Sequence, residues 1–200
     1  MSVTYDFSDK FSIQARTGTD YFNDLRIGKR AFSTQRFPFG QYREDNITFQ
    51  ETNMDILLTY KDLYSGDFGY SISAGANRMQ QIRRYNRISA NQLSIPEVYN
   101  FTNSRIPLAA TQNNTERQIN SVYATAQFSW KDAVYLDVSG RNDWSSALTN
   151  PLDPDNSNNS YFYPAANLSF VMNELVDLPE SISFLKFRGG YGEVGGDTDP

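Results

Sequence analysis

Three glycines near the end of the sequence have the spacing of a nucleotide-binding loop. Gly190, Gly192 and Gly195 form a G-x-G-x-x-G pattern, in which a tight loop brings the pyrophosphate to the N-terminus of the following helix. The next residues, Gly196-Asp-Thr-Asp-Pro200, cannot begin such a helix. We therefore predict no cofactor here, and expect small residues in a strand and its exit loop.

The other patterns that suggest catalysis or metal binding are weak. Asp153, Asp155 and Ser157 place oxygen atoms at alternate positions, but the glycine and the distal glutamate of a calcium-binding EF-hand loop are missing. The sequence has no Cys and no His, which excludes thiolate chemistry, the usual zinc sites and a Ser–His–Asp triad. We predict a turn-rich surface loop, with no catalytic, cofactor or metal site, in a protein that is not an enzyme.

A basic stretch is the clearest candidate for ligand binding. No acidic residue occurs between Asp67 and Glu97. In a long loop, these cations would suit an anionic ligand, a lipopolysaccharide phosphate or the acidic face of a partner, with an ordinary solvated loop as the alternative. The arginines concerned are Arg78, Arg83, Arg84, Arg87 and Arg105.

Alternation of apolar and polar residues dominates the chain. Between Ser121 and Trp130 every second side chain is apolar, and 133–143 repeats the pattern after a turn at Lys131-Asp132. One face of each strand would be apolar and the other charged, as in a strand between lipid and a polar lumen. The charged residues expected to face the lumen, to pair across strands or line a solute path, are Asp137, Arg141, Asp143, Lys186 and Arg188.

The same alternation predicts about eight strands in an all-β, antiparallel up-and-down meander. The further strands fall at Ser2–Phe7, Lys10–Tyr21, 53–60, 68–76, 162–172 and 185–191. Short connections are predicted at Ser8-Asp9, 61–66, 131–132 and 173–182, and long polar ones at 22–43, 79–116 and 145–160. Short turns on one side and long loops on the other are typical of an outer-membrane barrel.

Composition agrees with this interpretation. The net charge of −5 argues against a nucleic-acid binder, and no run of 18 apolar residues predicts a transmembrane helix. Aromatic residues near strand ends, Phe128 and Trp130 at a short turn and Trp144 and 161–163 at a long loop, suit the two interfacial girdles. The start of the chain lacks the features of a signal peptide.

Three ordered motifs resemble a known family. The segments are YLDVSGRNDWSS at 135–146, SYFYPAANLSF at 160–170 and FLKFRGGYGEVGGDTDP at 184–200. They are similar to the barrel of SusC/RagA-type TonB-dependent outer-membrane transporters, which are typical of Bacteroidetes. The resemblance implies a 22-stranded barrel with a plug, energised through TonB, that works with a SusD-like surface lipoprotein to import glycans, peptides or similar nutrients.

We therefore expect residues 1–200 to be a single internal piece of such a barrel, without the plug, located in the cell outer membrane of a Gram-negative bacterium. Its partners would be the rest of the barrel and plug, the TonB complex, the SusD-like lipoprotein and outer-membrane lipid, with no nucleic acid. The sheet should be open and curved, with Val134, Leu136 and Val138 on the convex side. A complete small barrel acting as an adhesin or anchor, and a soluble carbohydrate-binding β-sandwich, are the alternatives.

Overall fold

The residues that the structure describes form eight β-strands. The computed structural model describes residues 1–65, 67–150, 152–153, 155, 157–179 and 181–195, with the side chains of 63–65 left aside. None of the helices in these ranges is long and apolar enough to cross a membrane. The strands are β1 (Ser2–Asp6), β2 (Phe11–Thr34), β3 (Phe37–Ser65), β4 (Phe68–Ala90), β5 (Ala109–Trp130), β6 (Val134–Ser145), β7 (Ser160–Val171) and β8 (Lys186–Gly192).

The eight strands form one sheet in sequence order, from β1 to β8. Neighbours along the chain are neighbours in the sheet, as in a meander, and β1 and β8 occupy its two edges. The predicted fold class, strand number and open topology are thereby confirmed.

The register of strands β5, β6 and β7 aligns their apolar side chains. Val122 lies opposite Asn142, and Phe128 opposite Leu136 on the same face. Leu136 in turn lies opposite Leu168 on β7. The apolar side chains of three strands therefore share one face, because successive residues of a strand point to opposite sides of a sheet.

Two of the predicted long loops are wrong. The segment 22–43 belongs to β2 and β3, which are joined at 35–36, and the segment 79–116 is strand except for 91–108. These strand portions carry charges on both faces, so they lack the apolar stripe from which a strand is recognised. The third long connection, between β6 and β7 at 146–159, is confirmed, as are the short ones at 8–9 and 131–132. The short connection predicted at 61–66 is wrong for 61–65, which belong to β3, and the one predicted at 173–182 is a longer connection at 172–185.

The chain divides into two compact units. The first unit comprises Met1–Gly18, Asn53–Met79 and Gln118–Pro200, and the second comprises Thr19–Thr52 and Gln80–Arg117. Strands β2 to β5 each contribute to both units.

The first unit has an inverted burial pattern. On β3, the apolar Met54, Ile56 and Leu58 are exposed by 55%, 45% and 42%, whereas the alternating polar residues Asn53 and Asp55 are half-buried. In a water-soluble sheet the apolar side chains would be the covered ones. The same inversion on β4 leaves Ile72 exposed by 44%.

The second unit has a small core of its own. Tyr42, Ala90 and Leu93 are buried, and Phe32, Tyr99 and Phe101 pack against them. The connection 91–108 is ordered by the buried Asn103, whose side-chain amide donates to the carbonyl oxygens of Ile95 (2.8 Å) and Val98 (2.7 Å). The half of the predicted loop that is not strand is thus a packed loop.

Candidate functional site

The polar face of the first unit holds the charged side chains of β6 and their neighbours on β5 and β7. Arg141 lies opposite Tyr123 on β5 and opposite Tyr163 on β7, and Asp143 lies opposite Ser121 and Tyr161. These residues alternate with the apolar ones, so strands β5 to β7 carry these charges on one side and their aliphatic side chains on the other.

Asp55 on β3 is the centre of this polar face. Its Oδ1 accepts hydrogen bonds from Nε (3.0 Å) and Nη2 (2.6 Å) of Arg16 on β2. Its Oδ2 accepts from the phenolic hydroxyl of Tyr123 on β5, at 2.6 Å. The carboxylate is only 12% exposed, and it is stable there because a cation and two kinds of donor satisfy both oxygens.

The contact between Asp55 and Tyr123 depends on a glycine between them. Strand β4 lies between β3 and β5 in the sheet, and the Tyr123 ring crosses it at Gly75. A Cβ at position 75 would lie 2.6 Å from Cζ of Tyr123 and 2.7 Å from the backbone oxygen of Ile56. Gly75 therefore keeps the space through which a side chain of β5 reaches β3.

A second polar pair continues the network on β6. Arg141 donates from Nε to Oδ1 of Asp143 at 2.6 Å, and from Nη2 to Oγ of Ser121 at 2.9 Å. The ion pair is thus formed within one strand, and the cross-strand partner of Arg141 is a hydroxyl.

Asp55, Tyr123 and Arg141 border a polar hollow of about 560 Å³. Arg16 and the amide residues Asn53 and Asn77 also line it. Its chemistry is that of hydrogen bonding: amides, a phenol and paired charges suit a hydrated polar solute. No group of three or more metal-binding side chains occurs among the residues that the structure describes.

The other residues expected on this face lie further along the sheet. Asp137 is opposite Gln127 and Asn167, and Arg188 is opposite Ser169. The Nζ of Lys186 lies 5.5 Å from the centre of the Tyr135 ring. Lys186, Tyr135 and Asp137 border a second hollow of about 330 Å³.

The sequence had pointed to Arg141 and Asp143 but not to Arg16, Asp55 or Tyr123 as members of one site. The signals present were the odd-numbered Asp55 in an alternating strand and a glycine, Gly75, at a polar-face position of β4. Neither shows which strands meet, because Asp55 and Tyr123 are 68 residues apart.

The basic stretch is not a loop. Arg78, Arg83, Arg84 and Arg87 lie on β4, and only Arg105 lies in the connection to β5. Within the second unit, Arg87 donates to Asp45 at 2.7 Å, and Arg43 approaches the same carboxylate at 3.3 Å. Asp45 is 4% exposed, so part of the positive charge neutralises a buried acid inside the unit.

The remaining motifs have structural roles. Gly190 and Gly192 lie on β8, and a Cβ at 190 would lie 1.9 Å from Oδ1 of Asn167. A Cβ at position 195 would lie 2.3 Å from the ring of Tyr163. Residues 196–200 lie outside the described residues. Asp153 and Ser157 are in the connection between β6 and β7, where the Ser157 hydroxyl donates to the Asp153 carbonyl at 3.0 Å.

The aromatic residues near the strand ends divide between the two faces. Trp130, Trp144 and Phe162 lie on the apolar face, exposed by 45%, 40% and 60%. Tyr161 and Tyr163 lie on the polar face opposite Asp143 and Arg141, so they do not belong to an outward-facing girdle.

Comparison with known proteins gives one family and one fold. The family model "TonB dependent receptor-like, beta-barrel" matches residues 1–196. A structure described as the RagAB peptide transporter is similar over 96% of this chain, with 16% identity and a TM-score of 0.82. A RagAB peptide importer in an "open-open" state has 18% identity and a TM-score of 0.77 over the same share. The chain spans 21% of the length of each of these chains. No curated protein sequence matches it.

Proposed function

Because the chain belongs to the TonB-dependent receptor-like β-barrel family, we propose that it forms part of the transmembrane wall of an outer-membrane transporter for glycans, peptides or similar nutrients. The observation that carries the proposal is the inverted burial of the first unit. Met54, Ile56 and Leu58 are exposed while Asn53 and Asp55 are half-buried. Such a sheet is stable where its apolar face meets lipid and its polar face meets a lumen.

The connections indicate which way the wall faces. At one end, three of the four connections are short: 7–10, 131–133 and the one between Ser65 and Phe68. The fourth, 172–185, is as long as 146–159 at the other end. At the other end they continue into the second unit or into the long connection 146–159. Short turns belong to the periplasmic side of such barrels and long connections to the outside, so the second unit is proposed to be extracellular.

The polar hollow at Asp55 is the part of the wall proposed to face the solute path. Its amides and paired charges offer donors and acceptors without an unpaired ion at Asp55. Weak, exchangeable hydrogen bonds of this kind suit passage of a peptide or glycan, because a tightly bound solute would not leave.

The proposed partners follow from the family and from the surface. The rest of the barrel would pair with the edges of β1 and β8, and a plug would contact the polar face and couple the barrel to the TonB complex. The connection 91–108 exposes Ile95 by 58% and Leu108 by 45%, which is an apolar surface suited to a SusD-like lipoprotein. The matched structures are of RagAB, a peptide transporter, and we propose the same SusC/RagA type, in a Bacteroidetes-like outer membrane.

Cysteine labelling in intact cells tests the topology. The chain has no Cys, so single substitutions report one position each in the complete gene product that contains the chain. Leu152→Cys, at a side chain exposed by 94%, should react with a membrane-impermeant maleimide in intact cells. Asp132→Cys, at the opposite end of β6, is the matched control and should react only after the outer membrane is broken.

Uptake tests the transport itself. Cells with and without the gene product are incubated with a mixture of oligopeptides and oligosaccharides, and depletion of the medium is followed by mass spectrometry. Depletion that requires both the protein and TonB supports the proposal. Recovery of the protein in the soluble fraction would favour the carbohydrate-binding sandwich, and an outer-membrane protein without uptake would favour the adhesin.

A further inference from the structure

The apolar face of the first unit contains a hollow that the transport proposal does not use. Its volume is about 610 Å³. Alanines at positions 15 and 76 lie between larger neighbours, among them Val3, Met54 and Val122, which line the same space. A small side chain between bulky ones leaves a groove on this face, lined largely by apolar side chains that suit a hydrocarbon chain.

Arg16, Asp55 and Arg78 are the charged residues that line this groove, and Arg78 is the one on the apolar face. Arg78 follows Ala76 by two residues on β4, so both point to the same face, and it lines the hollow with Asn120 and Trp144. Its guanidinium donates from Nη2 to Oε1 of Gln118 at 2.7 Å.

The charge of Arg78 has no acidic partner in the part of the chain that the structure describes. Arg16 and Arg141, on the polar face of the same unit, are paired with Asp55 and Asp143 at 2.6 Å each. Arg78 is exposed and bonded to a neutral amide. A guanidinium in this setting is suited to bidentate binding of a phosphate.

The position of the groove along the strands identifies the leaflet. Trp144 is next to Ser145, the last residue of β6 before the long connection. In the proposed orientation this end of the strands is at the outer leaflet, where lipopolysaccharide is the lipid. Trp144 agrees with this placement, since tryptophan favours the headgroup level of a bilayer.

We propose that this groove is a binding site for the lipid A part of lipopolysaccharide, with one acyl chain in the hollow and a phosphate on Arg78. The proposal rests on the proposed function for the orientation of the sheet. Burial of the acyl chain and a charge-assisted hydrogen bond to the phosphate would act together, because Arg78 and the apolar residues line the same hollow.

Lipid binding to the purified, complete gene product tests the site. Native mass spectrometry in detergent measures retention of lipid A and of dephosphorylated lipid A. Arg78→Gln should weaken binding of lipid A by about tenfold, as expected for the loss of a charged hydrogen bond, and leave the dephosphorylated form unchanged. Ala76→Leu should fill the groove and weaken both forms.

The control is Lys131→Gln, which removes a cation at the opposite end of the same unit and should not alter lipid A binding. Heat-modifiable migration on a gel shows that each variant is a folded barrel. A folded barrel in which Arg78→Gln binds lipid A as the parent does would overturn the site. So would equal retention of phosphatidylglycerol and lipid A by the parent protein. A parent protein that never forms a barrel would overturn the proposed function as well.

Discussion

Tyr123 on β5 donates its phenolic hydrogen to Asp55 on β3, with 2.6 Å between Oη and Oδ2, across the intervening strand β4. Hydrogen bonds within a sheet join adjacent strands, whereas this one joins strands that are not neighbours. It therefore fixes the relative position of three strands at one point of the polar face, next to the hollow proposed to meet the solute.

Removing the hydroxyl should destabilise the barrel. Tyr123→Phe leaves Oδ2 of Asp55, in a carboxylate that is 12% exposed, without its donor. The expected loss in free energy of unfolding is roughly 1–3 kcal/mol. Urea unfolding of the folded protein in micelles measures it.

Tyr135→Phe is the matched control, on the same face one strand away. The hydroxyl of Tyr135 has no hydrogen-bond partner in the described part of the structure, and its ring contact with Lys186 would remain. An equal loss in free energy of unfolding in both variants would show that the hydrogen bond to Asp55 does not contribute to stability.

A side chain at position 75 should lower the free energy of unfolding. In Gly75→Ala, the new Cβ would meet Cζ of Tyr123 at 2.6 Å and a backbone oxygen at 2.7 Å, so the ring must move and the bond to Asp55 must lengthen. Overpacking of this kind costs about 1–3 kcal/mol. Gly18→Ala, with no atom within 4 Å of its Cβ, should have a much smaller effect in the same unfolding measurement.

The sequence predicts the strands of the first unit and the family, because alternation and motifs mark them. The strands of the first unit follow from alternation, because every second side chain of a strand points to the same face of the sheet: Val122 to Trp130 is an example. The family resemblance, stated from motifs between 135 and 200, is confirmed by the family model.

The second unit was missed for an equally physical reason. Between Asp24 and Arg30, charged residues fall on both faces of β2, because both are free to meet water. Such a strand is stabilised by backbone hydrogen bonds to its neighbours, so its side-chain pattern does not predict it. The Asp55–Tyr123 contact was not predictable either, since it depends on the register of three strands and on the space left at Gly75.

The second unit should lose stability in acid. The hydrogen bond from Arg87, with the nearby charge of Arg43, holds the pKa of Asp45 below its usual range despite the opposing effect of burial. A carboxyl with a depressed pKa stabilises the fold above its unfolded pKa of about 4, and that stabilisation disappears as the pH falls through the folded value.

Hydrogen exchange of the β3 and β4 amides measures this effect. Asp45→Asn should lose about 2 kcal/mol of local stability at neutral pH and should show a weaker dependence on acid than the parent. Asp24→Asn, whose carboxylate is 38% exposed, should leave these amides unchanged. An acid dependence that persists in Asp45→Asn would assign it to another group.

Residues that favour positive φ angles should stabilise the turn after Trp130. Lys131 and Asp132 have φ angles of 50° and 52°, the left-handed region that Asn and Gly adopt most easily. Lys131→Asn with Asp132→Gly should stabilise the β5–β6 hairpin by about 1 kcal/mol, measured by urea unfolding. Asp9 is not among the residues of positive φ, so Asp9→Gly should not raise the free energy of unfolding. A rise in that variant would show that relief of positive φ is not the cause.

The length of β2 to β5 has a consequence for the kinetics of assembly. In the proposed orientation, the charged portions between Thr19 and Thr52 and between Gln80 and Arg117 must pass through the hydrocarbon layer before the wall is complete, which is costly for a strand whose charges meet lipid. The core of Tyr42, Ala90 and Leu93 joins two hairpins, so it can form only after both have crossed. Translocation of these tips would therefore be the slow step of insertion, and formation of the core afterwards would oppose their return through the membrane.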